Sequence, residues 1–245
     1  MKQSIFTLEH VRQLTGDVWE LALTGDASAV TAPGQFVNLE LPGKFLRRPI
    51  SVCDWTAERL TLLVKEAGAG TRELVRLPAG TGLDTLSGLG NGFDLSNPPE
   101  NAVLAGGGIG IAPLYGLARR MLARGQRPIA VLGFRSKSDA FYLEAFAALG
   151  LEVRVATEDG SLGAKGFVTD VLNALPDCRY VLACGPTPML RAVHGLPHIT
   201  GGQFSFEARM ACGFGACVGC TIQTANGPKR VCRDGPVFRK EEILW

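Results

Sequence analysis

Apolar and polar residues alternate along 36–41 (FVNLEL), the period of a strand with one buried face. The stretches 17–25 (DVWELALTG) and 59–67 (RLTLLVKEA) read as two more strands. Pro33-Gly34, Pro42-Gly43 and Gly68 to Gly70 punctuate them as turns. Many short strands with such turns predict a barrel or a sandwich. Residues 71–77 (TRELVRL) read as a short helix with Thr71 as its N-cap. The pattern changes at Asn97-Pro98-Pro99. Beyond it, apolar runs at 101–106, 127–134, 151–157 and 179–185 alternate with helical patterns at 112–124, 140–149, 166–175 and 187–195. Strand–helix alternation predicts a parallel sheet covered on both faces. After Gly201 periodicity fades, and something other than a hydrophobic core is expected to organise the tail.

Composition narrows the picture only a little. The 245 residues are 46% hydrophobic and 20% charged, with a net charge of +2. No concentrated basic stripe points to nucleic acid. The N-terminal MKQSIFTLEH has no apolar run and does not read as a signal peptide. The longest uncharged stretch, 101–118, is broken by glycines and a proline and fits strand–turn–helix better than a membrane span. Seven cysteines without a signal peptide point to a cytoplasmic protein whose thiols bind metal or a cluster.

Four of those cysteines follow the pattern Cys212-x4-Cys217-x2-Cys220-x11-Cys232. This is the ligand spacing of a plant-type [2Fe-2S] cluster. Gly213, Gly215 and Ala216 let the loop fold over an inorganic core and bring N–H groups to its sulfurs. A structural zinc site is the alternative, but it usually takes two short C-x2-4-C knuckles, and Cys232 has no close partner in sequence. Cys53, Cys178 and Cys184 lie in or beside apolar strands and read as small buried hydrophobes.

Two further motifs carry candidate chemistry. In RRPISV (47–52) Arg48 offers a fork to a pyrophosphate and Ser51 a hydroxyl to a flavin ring nitrogen. In GAGTREL (68–74) glycines lead onto a helix N-terminus, a setting that favours phosphate. Together they resemble the ferredoxin–NADP reductase-like superfamily. The resemblance implies FAD across Arg48, Pro49, Ile50 and Ser51, the strand end Leu63, Val64 and Lys65, and then Gly70 and Thr71. Ile50 stands where relatives often carry an aromatic residue. VLAGGGIGIAPL (103–114) reads as strand, glycine turn and helix; alone it is also a tight turn of any α/β protein. In that superfamily it approaches the nicotinamide dinucleotide together with the ACGPTPML stretch (183–190). This implies NAD at Gly107, Gly108, Gly110, Cys184, Gly185 and Pro186, with Asp159-Gly160-Ser161 at another strand end. Arg135 and Lys137 suit either a 2′-phosphate or a solvated loop, so NAD and NADP both stay open on the residues alone.

Over its whole length the chain resembles the electron-transfer subunits of NAD-dependent (class 1B) dihydroorotate dehydrogenases. The resemblance rests on FEARMACGFGACVGCTIQ, RVCRDGPVFRKEEI, EDGSLGAKGFVTDVL and CGPTPML. It implies an α/β plus β-barrel fold: a flavin barrel (1–97), an NAD-binding α/β domain (98–200) and a small C-terminal [2Fe-2S] domain (201–245). It further implies a relay in pyrimidine biosynthesis. A partner catalytic subunit oxidises dihydroorotate on its FMN, and electrons pass through the cluster and FAD to NAD+. The two subunits form a heterotetramer with two of each. No catalytic residue is assigned to this chain. His10, His194 and His198 form no acid–base set, and the last two are expected in a surface loop. Glu207 and Arg209 flank the cluster loop; Glu207 is expected in a surface ion pair, with a place near the flavin or nicotinamide as the alternative. Rival readings are a reductase component of an oxygenase, hydrogenase or transhydrogenase, and a zinc-stabilised flavin- or nucleotide-binding regulatory module.

Overall fold

The computed structural model describes the chain apart from residues 97, 98, 100 and 176. The change of pattern at Asn97-Pro98 therefore falls outside the described residues. The N-terminal strands are β1 (Lys2–Gln13), β2 (Val18–Thr24), β3 (Phe36–Leu39), β4 (Arg48–Trp55), β5 (Arg59–Lys65) and β6 (Gly82–Leu89), with helix α1 (Ala69–Leu74) between β5 and β6. They close into an antiparallel barrel in the order β1-β2-β5-β4-β3-β6. Alternation decides what fills it: Val37 and Leu39 point into a core with Phe6, Leu21, Leu62 and Val64, while Asn38 points outward. Thr71 is not the N-cap of α1. Gly68 occupies that place, and the Thr71 hydroxyl reaches back to accept from the Ala67 and Gly68 N–H groups at 2.9 and 3.2 Å. Starting the helix two residues earlier satisfies donors that would otherwise be orphaned.

The second unit runs β7 (Val103–Gly107), α2 (Ile111–Leu122), β8 (Ile129–Phe134), α3 (Leu143–Ala148), β9 (Val153–Thr157), β10 (Ala164–Lys165), α4 (Val168–Asn173), β11 (Tyr180–Cys184), α5 (Thr187–His194) and β12 (Gly201–Ser205). After it come a hairpin, β13 (Thr221–Thr224) and β14 (Gly227–Arg230), and a last strand, β15 (Val237–Arg239). The sheet order is β10-β9-β8-β7-β11-β12-β15, parallel except for the β12–β15 pair. The order reverses between β7 and β11, which opens a crevice at their C-terminal ends.

The tail differs from the expectation. Gly201–Ser205 extends the parallel sheet, and Val237–Arg239 returns to pair with it. β12 (GGQFS) has a single apolar side chain and β15 only three residues, so neither shows as an apolar run in the sequence. Cys220, Cys232 and Val231 are buried in one continuous core with Phe204 and Phe238 of the sheet and with Phe36, Leu86 and Leu89 of the barrel. A hydrophobic core does organise the C-terminal segment; it is borrowed from both neighbours. His194 is likewise not in a surface loop. It ends α5 and packs against Phe204 at a tilt and against Trp245 edge-on, with ring centroids 5.8 and 5.7 Å away.

Polar contacts fix the barrel against the sheet. Asp54 of β4 pairs with Arg119 and Arg120 of α2, and the Arg120 guanidinium lies 3.4 Å from the Trp55 ring centre. Tyr142 carries φ +63°, and its hydroxyl donates to Glu20 at 2.6 Å. Burial lifts the Glu20 carboxyl, but hydrogen bonds from Arg12 and Tyr142 outweigh it and hold the pKa below the ordinary value. A carboxyl with a depressed folded pKa stabilises above its unfolded pKa, and that stability is lost as pH falls through the folded one. Tyr142→Phe should therefore cost about 1 kcal/mol at neutral pH. Thermal melts should show a drop of roughly 2–4 °C at pH 7 and a smaller one below about pH 4.

Candidate functional site

The four cysteines of the C-terminal loop come together as two pairs. Cys220 and Cys232 are buried with their sulfurs 3.3 Å apart. Cys212 and Cys217 are half-buried at the lip, with the Cys217 N–H 3.4 Å from the Cys212 sulfur. Burial alone would raise the Cys212 thiol. Hydrogen bonds from the backbones of Cys217, Phe214 and Gly215 and from the Cys217 side chain instead bring it to about 6. Cys232 is pushed the other way, to about 12, by burial and by the neighbouring Cys220. Crowded thiolates that repel one another ask for a cationic centre to share. Among the described residues, no three Cys, His, Asp or Glu side chains gather tightly enough for a single ion. Two pairs suit a two-iron rhomb, which takes two thiolates per iron, better than one tetrahedral ion.

The two flavin-type motifs also meet. A Cβ on Gly70 would sit 2.0 Å from the Arg48 Nε, so only glycine lets that guanidinium lie across the start of α1. Arg47 is committed to Glu40 and Asp84, whereas Arg48 has no ion pair among the described residues. Pro49 and Ser51 pair with Asn38 and Phe36 and share their outward face, and Ile50 pairs with Val37. Leu63 and Val64 have their side chains in hydrophobic cores, leaving only their backbone to a ligand. Lys65 lies 3.4 Å from Asp17. The Thr71 hydroxyl is spent on its own turn.

At the crevice between β7 and β11 is a cleft of about 500 Å³. Gly107, Gly108 and Pro186 line it. Gly110, Cys184 and Gly185 lie just behind. A Cβ on Gly110 would stand 2.5 Å from the Cys184 carbonyl oxygen, so the two loops touch backbone to backbone. Asp17, Val18 and Lys65 of the barrel close one side of the cleft, while Arg48–Ser51 and Gly70 lie outside it. Sequence reasoning missed Phe134, Glu158, Phe167 and Met189, which also line it. The signal available was position, since Phe134 and Glu158 follow from the C-terminal ends of β8 and β9. Arg135 is held by Asp139 at 2.9 Å. Glu207 makes no ion pair among the described residues, contrary to expectation, and neither does Arg209. Glu207 is an exposed residue, but desolvation by the protein around its carboxyl pushes its pKa up. It follows β12 and lies near enough to Cys184 for its charge, after burial, to help lift that thiol to about 12. The other two cysteines are buried and raised as well, Cys178 to about 11 and Cys53 further.

Comparison with known proteins decides the family. A model of the iron–sulfur cluster binding domain of dihydroorotate dehydrogenase B matches residues 207–244, and an oxidoreductase NAD-binding domain matches 104–195. The electron transfer subunit of dihydroorotate dehydrogenase B (NAD(+)) from Listeria monocytogenes is 43% identical over 94% of each chain. The one from Shouchella clausii is 41% identical over 99% of this chain and 98% of its own. The chain belongs to the dihydroorotate dehydrogenase B electron transfer subunits. Among solved structures, the NADH-dependent reduced ferredoxin–NADP oxidoreductase superposes with a TM-score of 0.90 at 30% identity, covering 99% of this chain and 90% of that one. No described helix is long and apolar enough to cross a membrane.

Proposed function

We propose that this dihydroorotate dehydrogenase B subunit carries electrons from the FMN of a dihydroorotate-oxidising partner through a [2Fe-2S] cluster and FAD to NAD+. The observation that carries the reading is the Cys220–Cys232 pair, built into one core with residues of the barrel and of the nucleotide sheet, and the Cys212–Cys217 pair at its lip. Cys212, Cys217, Cys220 and Cys232 would hold the cluster. Arg48 would neutralise the FAD pyrophosphate over Gly70, and Ser51 would offer its hydroxyl to the ring. Backbone groups of Gly107, Gly108, Gly185 and Pro186 would cradle NAD at the crevice, with Gly110 and Cys184 keeping the two loops in contact. Leu63, Val64 and Lys65 would meet the flavin through their backbone, Pro49 and Ile50 through the strand. Bound flavin supplies the exchange between a two-electron hydride and single electrons. No side chain here is asked to act as acid or base on an organic substrate.

The divisions 1–97, 98–200 and 201–245 describe these three roles. Phe214 and Val218 are exposed at 45% and 75% on the lip beside Cys217, an apolar rim for the partner's docking face. A heterotetramer with two of each subunit fits one such rim per chain. Seven cysteines with no disulfide among the described residues suit the reducing cytoplasm. The NADH-dependent reduced ferredoxin–NADP oxidoreductase stands at 30% identity against 43% for the dihydroorotate family, which supports the latter. Anaerobic NADH titration tests the reading. Flavin and broad iron–sulfur absorption should bleach together, with a rhombic low-temperature EPR signal, and the FMN dehydrogenase should co-purify. A colourless protein with stoichiometric zinc would sink it.

The cleft also argues for NAD over NADP. Its one well-placed guanidinium, Arg135, is occupied by Asp139, and Glu158 adds a second carboxylate. Asp139→Ser should free Arg135 and raise kcat/KM for NADPH relative to NADH about tenfold, the worth of one added charge contact. Steady-state dye reduction with both nucleotides checks this.

A further inference from the structure

Asn38 is 1% exposed, yet its Oδ1 is buried without a hydrogen-bond partner. Leaving such an acceptor unmet is costly, and leucine would pack there without that cost. Its Nδ2 donates to the Cys212 carbonyl at 3.0 Å. Gly213, the next residue, has φ +75°, and a Cβ on it would lie 2.5 Å from the same Nδ2. The cluster loop is thus pressed onto this one amide. On the barrel side Asn38 pairs with Pro49 across β3 and β4 and shares its outward face, next to the Phe36–Ser51 pair. The Arg47 guanidinium, fixed by Asp84, stands 3.4 Å from the Asn38 carbonyl and braces the strand from behind. No other side chain of β3 or β4 hydrogen-bonds to the cluster loop among the described residues. The neighbours on this face, Phe36 and Leu86, join the core that holds Cys220 and Cys232.

We propose that Asn38 is a positioning residue that ties β3, the partner of the flavin-binding strand β4, to the iron–sulfur loop. Its amide fixes the Cys212 carbonyl, and so sets the direction of the Cys212 sulfur and of the Phe214 and Gly215 N–H groups that converge on it. The role assigned to Asn38 runs through the backbone of one ligand, Cys212. The inference rests on the cluster and flavin reading above.

The test compares Asn38→Leu and Asn38→Asp with the unmodified chain, each purified anaerobically with its partner. Leucine removes the donor and keeps the bulk. Aspartate keeps the shape but turns an acceptor toward the Cys212 carbonyl. The readouts are FAD and iron content, the EPR line shape of the reduced cluster, and the rate of iron release to a ferrous chelator. FAD should be retained in both variants. Iron release should quicken about tenfold or more, the effect of one lost buried hydrogen bond, and the EPR signal should broaden or shift its g values. Loss of the cluster with FAD retained also supports the proposal. EPR and iron release within about twofold of the unmodified chain in both variants would overturn it. Loss of FAD with an unchanged cluster would overturn it, as would loss of both cofactors in both variants, which would make Asn38 a residue of the barrel alone. Absence of a cluster from the unmodified chain would instead remove the underlying reading.

Discussion

Replacing Cys217 with serine should abolish the [2Fe-2S] cluster and leave FAD in place. A serine hydroxyl stays protonated where a thiol ionises, so one corner of the ligand set is lost. The backbone N–H of residue 217, which approaches the Cys212 sulfur at the open lip, is kept, so the loss is that of one thiolate ligand. The flavin determinants are elsewhere, on a barrel with its own core of Phe6, Leu21, Leu62 and their neighbours. The purified variant should be yellow, with a flavin spectrum, almost no iron and no rhombic EPR signal. Electron transfer from partner to NAD+ should fall at least about a hundredfold, a barrier increase of about 2.7 kcal/mol or more. Transfer at the unmodified rate would mean that the cluster is not on the route.

Arg48→Ala should loosen FAD about ten- to a hundredfold, since one charge-assisted, partly buried hydrogen-bonding group is worth roughly 1.5–3 kcal/mol. Flavin should be lost on gel filtration at concentrations where the unmodified chain keeps it. The neighbouring arginine supplies the control. Arg47 is tied to Glu40 and Asp84 on the barrel wall, so Arg47→Ala should lower stability without a comparable loss of flavin. Equal retention of FAD by Arg48→Ala would take Arg48 out of the site.

The features most legible in the sequence were those set by local spacing. The four cysteines announce their ligand pattern without any fold, and the apolar runs at β7, β8, β9 and β11 are long enough to show as buried strands. The meeting of RRPISV with GAGTREL followed from family resemblance, and the Gly70–Arg48 contact supplies its physical reason. What stayed hidden was long-range. β12 carries two glycines, Gln and Ser around a single Phe, and β15 has three residues, so the sheet's last two members were unreadable. Thr71 reads as a cap because Thr often is one, but the preceding glycines allow an earlier start. Glu207 reads as a surface residue and is exposed, but nothing in its neighbours announces that it follows β12 to within electrostatic reach of Cys184 at the end of β11. Asn38 looks like one polar position in an alternating strand. Only the packing of residue 212 against it shows that its outward face is covered.

The loop holding the four sulfurs is an insertion between two paired strands, β12 and β15, and is not an appendage on a tether. Asn91, just past β6, stitches the returning segment down through Asp234, Gly235 and Val237. An inorganic centre anchored at both chain ends cannot swing between donor and acceptor as a hinged carrier does. Its distance to the isoalloxazine is set once, at folding, so internal turnover should be indifferent to solvent viscosity and any gating must come from the arrival of the partner or the departure of the nucleotide.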